Sequence, residues 1–297
     1  MSATPRERIA DLGLIYCAAV WGATFYMVKG ALTAVDPTAL VAWRFLLSAA
    51  LLLPWVLRKP KIFILLKESA ILALILGTLY LTQTEGLRYT SASNSGFITG
   101  LFVIFVPLFL LVFFGKPPTV VQWAASALAL AGLWLLTGGL GRCNRGDLLT
   151  IGAAVTYAAH LLATDKYVRA DADAIILAFH QFWMTGLYAL ALALVAGRPL
   201  GVGSAKAGGT IVFLAIFPTL SAFYIQMLAQ KFTAPVKVSL IFSLEPVFAA
   251  LFAWTVGGEE FVAARAAGGG LIVAAMIVDE ISKLSLLKGR KKEVLPV

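Results

Sequence analysis

Residues 80–90, "YLTQTEGLRYT", align without a gap on residues 223–233, "FYIQMLAQKFT". An aromatic faces an aromatic (Tyr80, Phe223), Gln83 faces Gln226, Arg88 faces Lys231 and Thr90 faces Thr233. The same offset of 143 residues carries Gly115 onto Gly258, and slightly shorter offsets match Trp21 with Tyr157, Asp36 with Asp173 and Phe45 with Phe182. Because the matches keep one order along the chain, they read as an internal duplication, and a long-period repeat decides the architecture before any single motif does. The copies are residues 1–140 and 141–297.

What has been duplicated follows from composition. The 297-residue chain is 60% hydrophobic and only 13% charged, with a mean hydropathy of +0.90, whereas a soluble domain is about a quarter charged. A helix needs roughly 20 apolar residues to cross a bilayer. Turn signals such as "DPT", "RKPK", "GKPP", "GLGRCNRGD", "GRPLGVG" and "GGEE" divide the chain into ten spans, near 12–34, 38–57, 69–87, 92–114, 119–138, 147–165, 173–196, 209–231, 234–256 and 261–281. The first run follows Arg6 and Arg8 but is too long for a signal peptide, so it reads as an uncleaved span. Cys17 lies in that span and Cys143 in a polar loop, which implies neither a disulfide framework nor a metal set.

Most of the 24 Lys and Arg residues fall on one side of this layout. Basic residues resist translocation, so that side, with both termini, is expected in the cytoplasm. The +9 net charge is thereby explained without a nucleic-acid partner. Five spans per copy is an odd number, so the second copy starts on the opposite face and enters upside down. The expected fold is all-α, a polytopic membrane protein of ten transmembrane helices in two inverted five-helix repeats. Many secondary transporters share that plan, with a substrate site near the midplane where the halves meet.

"SLEPVFAALFA", residues 243–253, places Glu245 and Pro246 inside the ninth span. A proline within a helix frees a carbonyl one turn earlier, and such a defect, like a carboxylate, is tolerated at membrane depth only when buried in protein or facing water. The first copy carries its proline at Pro107, four residues out of register with Pro246, and Phe102 where the second has Glu245.

Several stretches together resemble the ten-span EamA-type branch of the drug/metabolite transporter superfamily. They are "WGATF" with Lys29, "DPTALVAWRF", "GLRYTSASNSGFITGLFVIFVPLF", "SLEPVFAALFA" and "GGEE", and the resemblance spans essentially the whole chain. Lys116 departs from the Gly-Glu pair found at Gly258-Glu259 in the second copy. The resemblance implies a bacterial inner-membrane permease, often an exporter of amino acids or related metabolites. Spans one, three, four, six, eight and nine would surround its cavity, with spans five and ten as scaffold.

Ionisable groups within spans are functional candidates, because hydrocarbon makes them costly. Arg44 or Lys29 is placed to pair with Glu85 as a lock or gate. Tying helices together also fits Arg44, and snorkelling to the interface also fits Lys29. Glu245 either fixes the kink, binds an amine or carries a proton. His160 and His180 serve as proton relays or as internal hydrogen-bonding groups. Gln83 and Gln226 are candidates to reach a cavity, and Asn94 to line its mouth or pack the helix. Trp21, Tyr80, Tyr157 and Tyr224 are candidate walls of an aromatic pocket, against the plainer roles of helix packing and interfacial belt.

Enzymatic chemistry finds no support: HExxH, paired intramembrane aspartates, a nucleophile elbow and a phosphate-cradling loop are all missing from the sequence. No cofactor is expected. The partners expected are a small-molecule substrate and membrane lipids. A homodimer is left open by the small-residue stretches "AASALALAG" and "AAGGGLIVAA", which permit close helix contact within or between subunits. A small-metabolite exporter working by alternating access is the leading reading. A flippase for lipid-linked or drug-like molecules and a passive channel are the alternatives.

Overall fold

The computed structural model describes residues 4–139, 144–255 and 260–293. Arg142, Cys143 and residues 257–259 of "GGEE" lie outside the described residues. Those described form helices, with no strand among them.

The first helix, α1 (Pro5–Gly22), starts well before residue 12, where the apolar pattern begins. A capping box explains the early start: the Glu7 amide donates to Thr4 Oγ1 while the Thr4 amide donates to Glu7 Oε2. Two of the orphan amides of the first turn are thus satisfied, and Pro5 fits where no amide is needed. The chain continues as α2 (Thr24–Ala31) after a step at Ala23. Next come α3 (Pro37–Val56), α4 (Leu66–Gly86), α5 (Ala92–Gly100), α6 (Phe102–Phe114) and α7 (Val120–Thr137). The second half holds α8 (Arg145–Arg169), α9 (Ala174–Val195) and α10 (Ala205–Leu214), then a π-helical segment, Ala215–Ser221. It ends with α11 (Ala222–Gln230), α12 (Pro235–Phe242), α13 (Glu245–Thr255) and α14 (Ala263–Glu293).

Eight helical stretches among the described residues are long and apolar enough to cross a membrane. Every expected span has a helix, but α4 and α14 are not among the eight. They carry Lys67, Glu68 and Glu85, and Arg265 and Asp279, respectively.

The fourth and ninth spans are both interrupted, at the same register. Leu101 N donates to Ile98 O (3.1 Å) and Leu244 N to Ile241 O (3.0 Å), a tight turn in each. The next helix then starts in each, with Phe105 N on Leu101 O and Phe248 N on Leu244 O. All three residues of one step match those of the other at the 143-residue offset. The prolines do not share this register. Pro107 lies within α6, whereas Pro246 occupies the second position of α13, where a missing amide costs nothing. Pro246 also cannot bond the carbonyl of Phe242, the last residue of α12, so the step falls there.

Helices α3 and α9 pack along one another and run antiparallel. Arg198, after the end of α9, meets Asp36, which caps the start of α3; Lys59, after the end of α3, meets Asp173, which caps the start of α9. Helix α7 packs along α14 at a backbone-to-backbone crossing. A Cβ on Gly132 would lie 2.7 Å from Gly268 O, and one on Gly268 would lie 2.6 Å from Gly132 O. The small-residue stretches noted in the sequence therefore face each other within one chain.

Candidate functional site

The interior is organised around aromatic rings matched by the repeat. Trp21 meets Tyr157 with centroids 6.2 Å apart, Tyr80 meets Phe223 at 6.2 Å, and Phe45 meets Phe182 at 5.9 Å. Each ring thus touches the residue that the sequence alignment pairs with it. Within the first copy Phe45 packs on Tyr80 (5.0 Å), and within the second Phe182 packs on Phe223 (6.0 Å). Trp21 also touches Phe223 (5.3 Å) and Phe242 (4.9 Å), which ties the pairs into one buried cluster.

Glu245 stands at the edge of this cluster as the first residue of α13, and is buried. Its Oε2 has no hydrogen-bond partner. The step between α12 and α13 directs it inward, and Gly22 makes room there: a Cβ at Gly22 would collide with the Glu245 carbonyl.

Arg44 lies on the other side of the cluster, also buried. Its guanidinium carbon sits 4.4 Å from the Tyr80 ring centroid, the arrangement of a cation–π contact. Nε donates to Thr219 Oγ1 (2.5 Å) and Nη2 to Tyr80 OH (3.3 Å) and Pro218 O (3.4 Å). The expected pairing of Arg44 or Lys29 with Glu85 is not what forms. Lys29 Nζ instead donates to Leu87 O (2.7 Å) and Thr90 O (2.5 Å), the open carbonyls past the end of α4. Glu85 takes Arg198 at 2.7 Å and Arg88 at 3.6 Å, because the α9–α10 connection brings Arg198 over it.

The π-helical segment was not anticipated from the sequence, yet it shapes this side of the site. Pro218 breaks the ladder, and side chains of the segment itself and of α1 and α3 serve the carbonyls around it. Ser48 donates to Ala215 O (2.8 Å), Thr219 to Leu214 O (2.7 Å), Ser221 to Phe217 O (2.6 Å) and Trp21 Nε1 to Pro218 O (2.7 Å). The available signal was a proline followed by two hydroxyl residues, "PTLS", in an apolar span. π-Helical turns within helices are frequent at functional sites.

Further polar groups adjoin the cluster. The His160 ring contacts Phe223 at 5.7 Å, its Nε2 donates to Gln181 Oε1 (3.2 Å), and its Nδ1 has no partner. Gln181 is the residue that the repeat matches to Arg44. Gln226 is buried one turn from Phe223; its Nε2 donates to Gln230 Oε1 (2.9 Å), while its own Oε1 is unpartnered.

The remaining candidates lie apart. Gln83 is half-buried and donates to Thr99 Oγ1 (3.1 Å). Asn94 is in the first turn of α5, where its amide donates to Ser91 Oγ (3.0 Å). His180 has both ring nitrogens engaged, Nε2 on Ile62 O (2.8 Å) and Nδ1 accepting from Trp183 Nε1 (2.9 Å). Tyr224 is half-buried on α11 and makes no ring contact with the cluster.

Interrupted spans, buried unpaired polar groups and a central aromatic cluster in a multi-pass helical protein fit the class of membrane transporters. Comparison with known proteins gives the class its family. The EamA-like transporter family matches the chain twice, at residues 8–138 and 144–278. An uncharacterized transporter of Archaeoglobus fulgidus is 30% identical over 91% of this chain and 85% of its own length. The uncharacterized inner membrane transporter YedA of Escherichia coli is 25% identical over 89% of this chain and 88% of its own. A solved crystal structure superposes with a TM-score of 0.77 over 93% of this chain and 98% of that one, at 20% identity, which speaks to the fold alone. The chain belongs to the EamA-like transporter family.

Proposed function

We propose that this family member is a secondary transporter that exports small amphiphilic metabolites, foremost neutral or aromatic amino acids, by alternating access. Its ten spans form two inverted five-span repeats, with α4 and α14 added to the eight stretches long and apolar enough to cross a membrane. It works in a bacterial inner membrane with both termini in the cytoplasm. Small-molecule substrate and membrane lipid are its partners.

The observation that carries this reading is the interior of the ninth span, where the chain breaks its helix and buries a half-unpartnered carboxyl against an aromatic cluster. Such an arrangement is expensive in hydrocarbon and is expected where a ligand or proton is handled. The inverted plan is supported by the two family matches, by the common register of the breaks at Leu101 and Leu244, and by the antiparallel pair α3 and α9. Neighbour relations also survive exchange of the copies: α1 packs on α11 as α4 packs on α8.

Purified protein in liposomes is expected to show saturable counterflow of labelled L-phenylalanine. Glu245→Gln should lower that flux about tenfold or more while the protein still folds. Conductance that never saturates would make it a channel, and inhibition by long-chain lipids alone would make it a flippase.

A further inference from the structure

The matched threonines of the repeat, Thr90 and Thr233, belong to no part of the aromatic cluster, yet both are buried. Each sits in the connection that follows α4 or α11, and the two connections are built alike. Tyr89 N and Phe232 N donate to Gly86 O and Ala229 O at 2.9 Å, and Thr90 N and Thr233 N to the same carbonyls at 3.1 Å. Each threonine leads into a half-helix, α5 or α12, whose far end is the step at Leu101 or Leu244.

Two spans meet at each threonine. Thr90 Oγ1 donates to Asp147 Oδ1 (2.6 Å) on α8 of the other copy, and the Thr90 carbonyl accepts from Lys29 Nζ (2.5 Å) of its own copy. Thr233 Oγ1 donates to Asp11 Oδ1 (3.5 Å) on α1 of the other copy, and the Thr233 carbonyl accepts from Arg169 Nη2 (2.9 Å) of its own. Asp11 and Asp147 are themselves matched, at the offset that carries Trp21 onto Tyr157. The two sites occupy opposite ends of the bundle. Helix α8 has Asp147 in its first turn and Arg169 as its last residue, and its 25 residues span about 37 Å.

We propose that Thr90 and Thr233 are positioning residues that latch the two ends of the bundle, and that loss of one hydroxyl opens that end alone. This deepens the alternating-access reading above and rests on it. The bonds from Lys29 and Arg169 stay within a copy, so they hold each connection to its own first span throughout. The hydroxyl bonds cross between copies, so an end that opens must break its own. Water can replace either partner once the end parts, which keeps the net cost of breaking such a bond far below its strength in isolation.

The latches differ in a way that the sequence explains. At the Thr90 end, α4 and α8 approach through glycine: a Cβ on Gly86 would lie 2.9 Å from Gly146 O, and one on Gly146 would lie 2.5 Å from Gly86 O. The repeat puts Ala229 and Ala10 in these places, and the added methyl groups accompany the longer hydroxyl bond at the Thr233 end. The aspartates are also finished differently. Asp147 Oδ2 accepts from the Asn144 amide (3.0 Å), whereas Asp11 Oδ2 takes Lys237 at 2.7 Å. Lys237 stands where the first copy has Asn94. Thr90 is therefore the main tie of its latch, while Thr233 shares the load with an ion pair.

The test is distance measurement by pulsed dipolar EPR in liposomes, in a background without Cys17 and Cys143. Spin labels on Tyr89→Cys and Leu148→Cys report one end, and labels on Phe232→Cys and Leu12→Cys report the other. These four positions are exposed and are matched by the repeat. Thr90→Val should raise the population of long Tyr89–Leu148 distances about tenfold, the value of one hydrogen bond to a charged group, without lengthening Leu12–Phe232. Thr233→Val should do the reverse by a smaller factor, because Lys237 still holds Asp11. Thr90→Ser and Thr233→Ser keep the hydroxyl and should restore the native distances, and alanine variants read the same loss if a valine variant does not fold. A merely structural role loosens both ends alike, and that result overturns the proposal, as does no change at either end. Counterflow of labelled L-phenylalanine in the same liposomes separates the two readings. Saturable flux with distances indifferent to both threonines overturns the latches alone. End-specific opening without saturable flux overturns the transport proposed above and not the latches.

Discussion

The two ends of the α3/α9 pair are built by one device and finished differently. At one end, Asp36 caps α3 through Oδ1, accepting from the Thr38 amide (2.9 Å) and hydroxyl (2.6 Å), while its Oδ2 faces Arg198 at 3.6 Å. At the other end, Asp173 caps α9 through Oδ1, accepting from Ile175 N (3.0 Å) and Ile176 N (3.3 Å), while its Oδ2 takes Lys59 at 2.7 Å. In both cases a capping aspartate of one copy holds a cation from the other, and that cation precedes a proline, "RP" at 198–199 and "KP" at 59–60. Glu85 makes the difference. It adds a second carboxylate at the Asp36 end and draws Arg198 and Arg88 into one network with Asp36. Its match in the other copy is Leu228. The Asp173 end therefore has separate pairs, Lys59–Asp173 and Lys231–Asp171, in place of a network. Isolated exposed pairs contribute little, whereas linked ones reinforce each other, so the Asp36 end is the more firmly tied.

Cross-linking gives the largest expected effect on that comparison. In a background without Cys17 and Cys143, the pair Asp36→Cys and Arg198→Cys, once oxidised, should reduce counterflow more than about tenfold, with recovery on reduction. The pair Lys59→Cys and Asp173→Cys should do the same, because the alternating access proposed above needs each end to part in turn. Full activity with either end bonded shut would break the equivalence of the two ends.

A smaller effect is expected on stability. Glu85→Gln removes the 2.7 Å partner of Arg198 and should destabilise the detergent-solubilised protein by about 1 kcal/mol; Lys59→Gln should lower the melting temperature less. The reverse order would make the lone pair the stronger tie.

The smallest effect concerns pH. Partial burial pushes the Asp173 carboxyl up, but the Lys59 ammonium and the amides of Ile176 and Ile175 outweigh it and hold it below the usual range. A depressed carboxylate contributes stability that is present above its unfolded pKa of about 3.9 and is lost as pH falls through the folded value. Its bond to Asp173 holds the Lys59 ammonium above its usual range, so that contribution is present below about 10.4 and fades as pH rises through the folded value. Asp173→Asn should therefore flatten the melting-temperature profile below about pH 4 and leave its slope near neutrality unchanged. A neutral-pH slope that vanished with Asp173 would contradict this assignment.

Much of the interior was legible in the sequence because the repeat aligns it. Trp21 with Tyr157 and Tyr80 with Phe223 are matched in sequence and in contact, and Glu245 is buried where its cost predicts. The break at Leu101 and Leu244 was half legible, since Pro246 marks one copy and Pro107 misplaces the other. The partner of Glu85 was not legible. Glu85 and Arg198 are 113 residues apart, and their meeting depends on how the α9–α10 connection lies, which charge pattern alone does not fix. The hydroxyl and indole groups around Pro218 come from three different helical spans, so no local window contains them.

The way those groups serve the π-helical segment governs what is free to swing. Pulling α1 or α3 off Pro218 would strand buried carbonyls, so Trp21, Ser48 and that segment are bound to travel as a single block. Flexing is left to the joints at which no such tie across the copies is found among the described residues, the steps at Leu101 and Leu244. The molecule is in this sense a stiff wedge with two elbows, and the carboxyl of Glu245 sits at the crook of one of them.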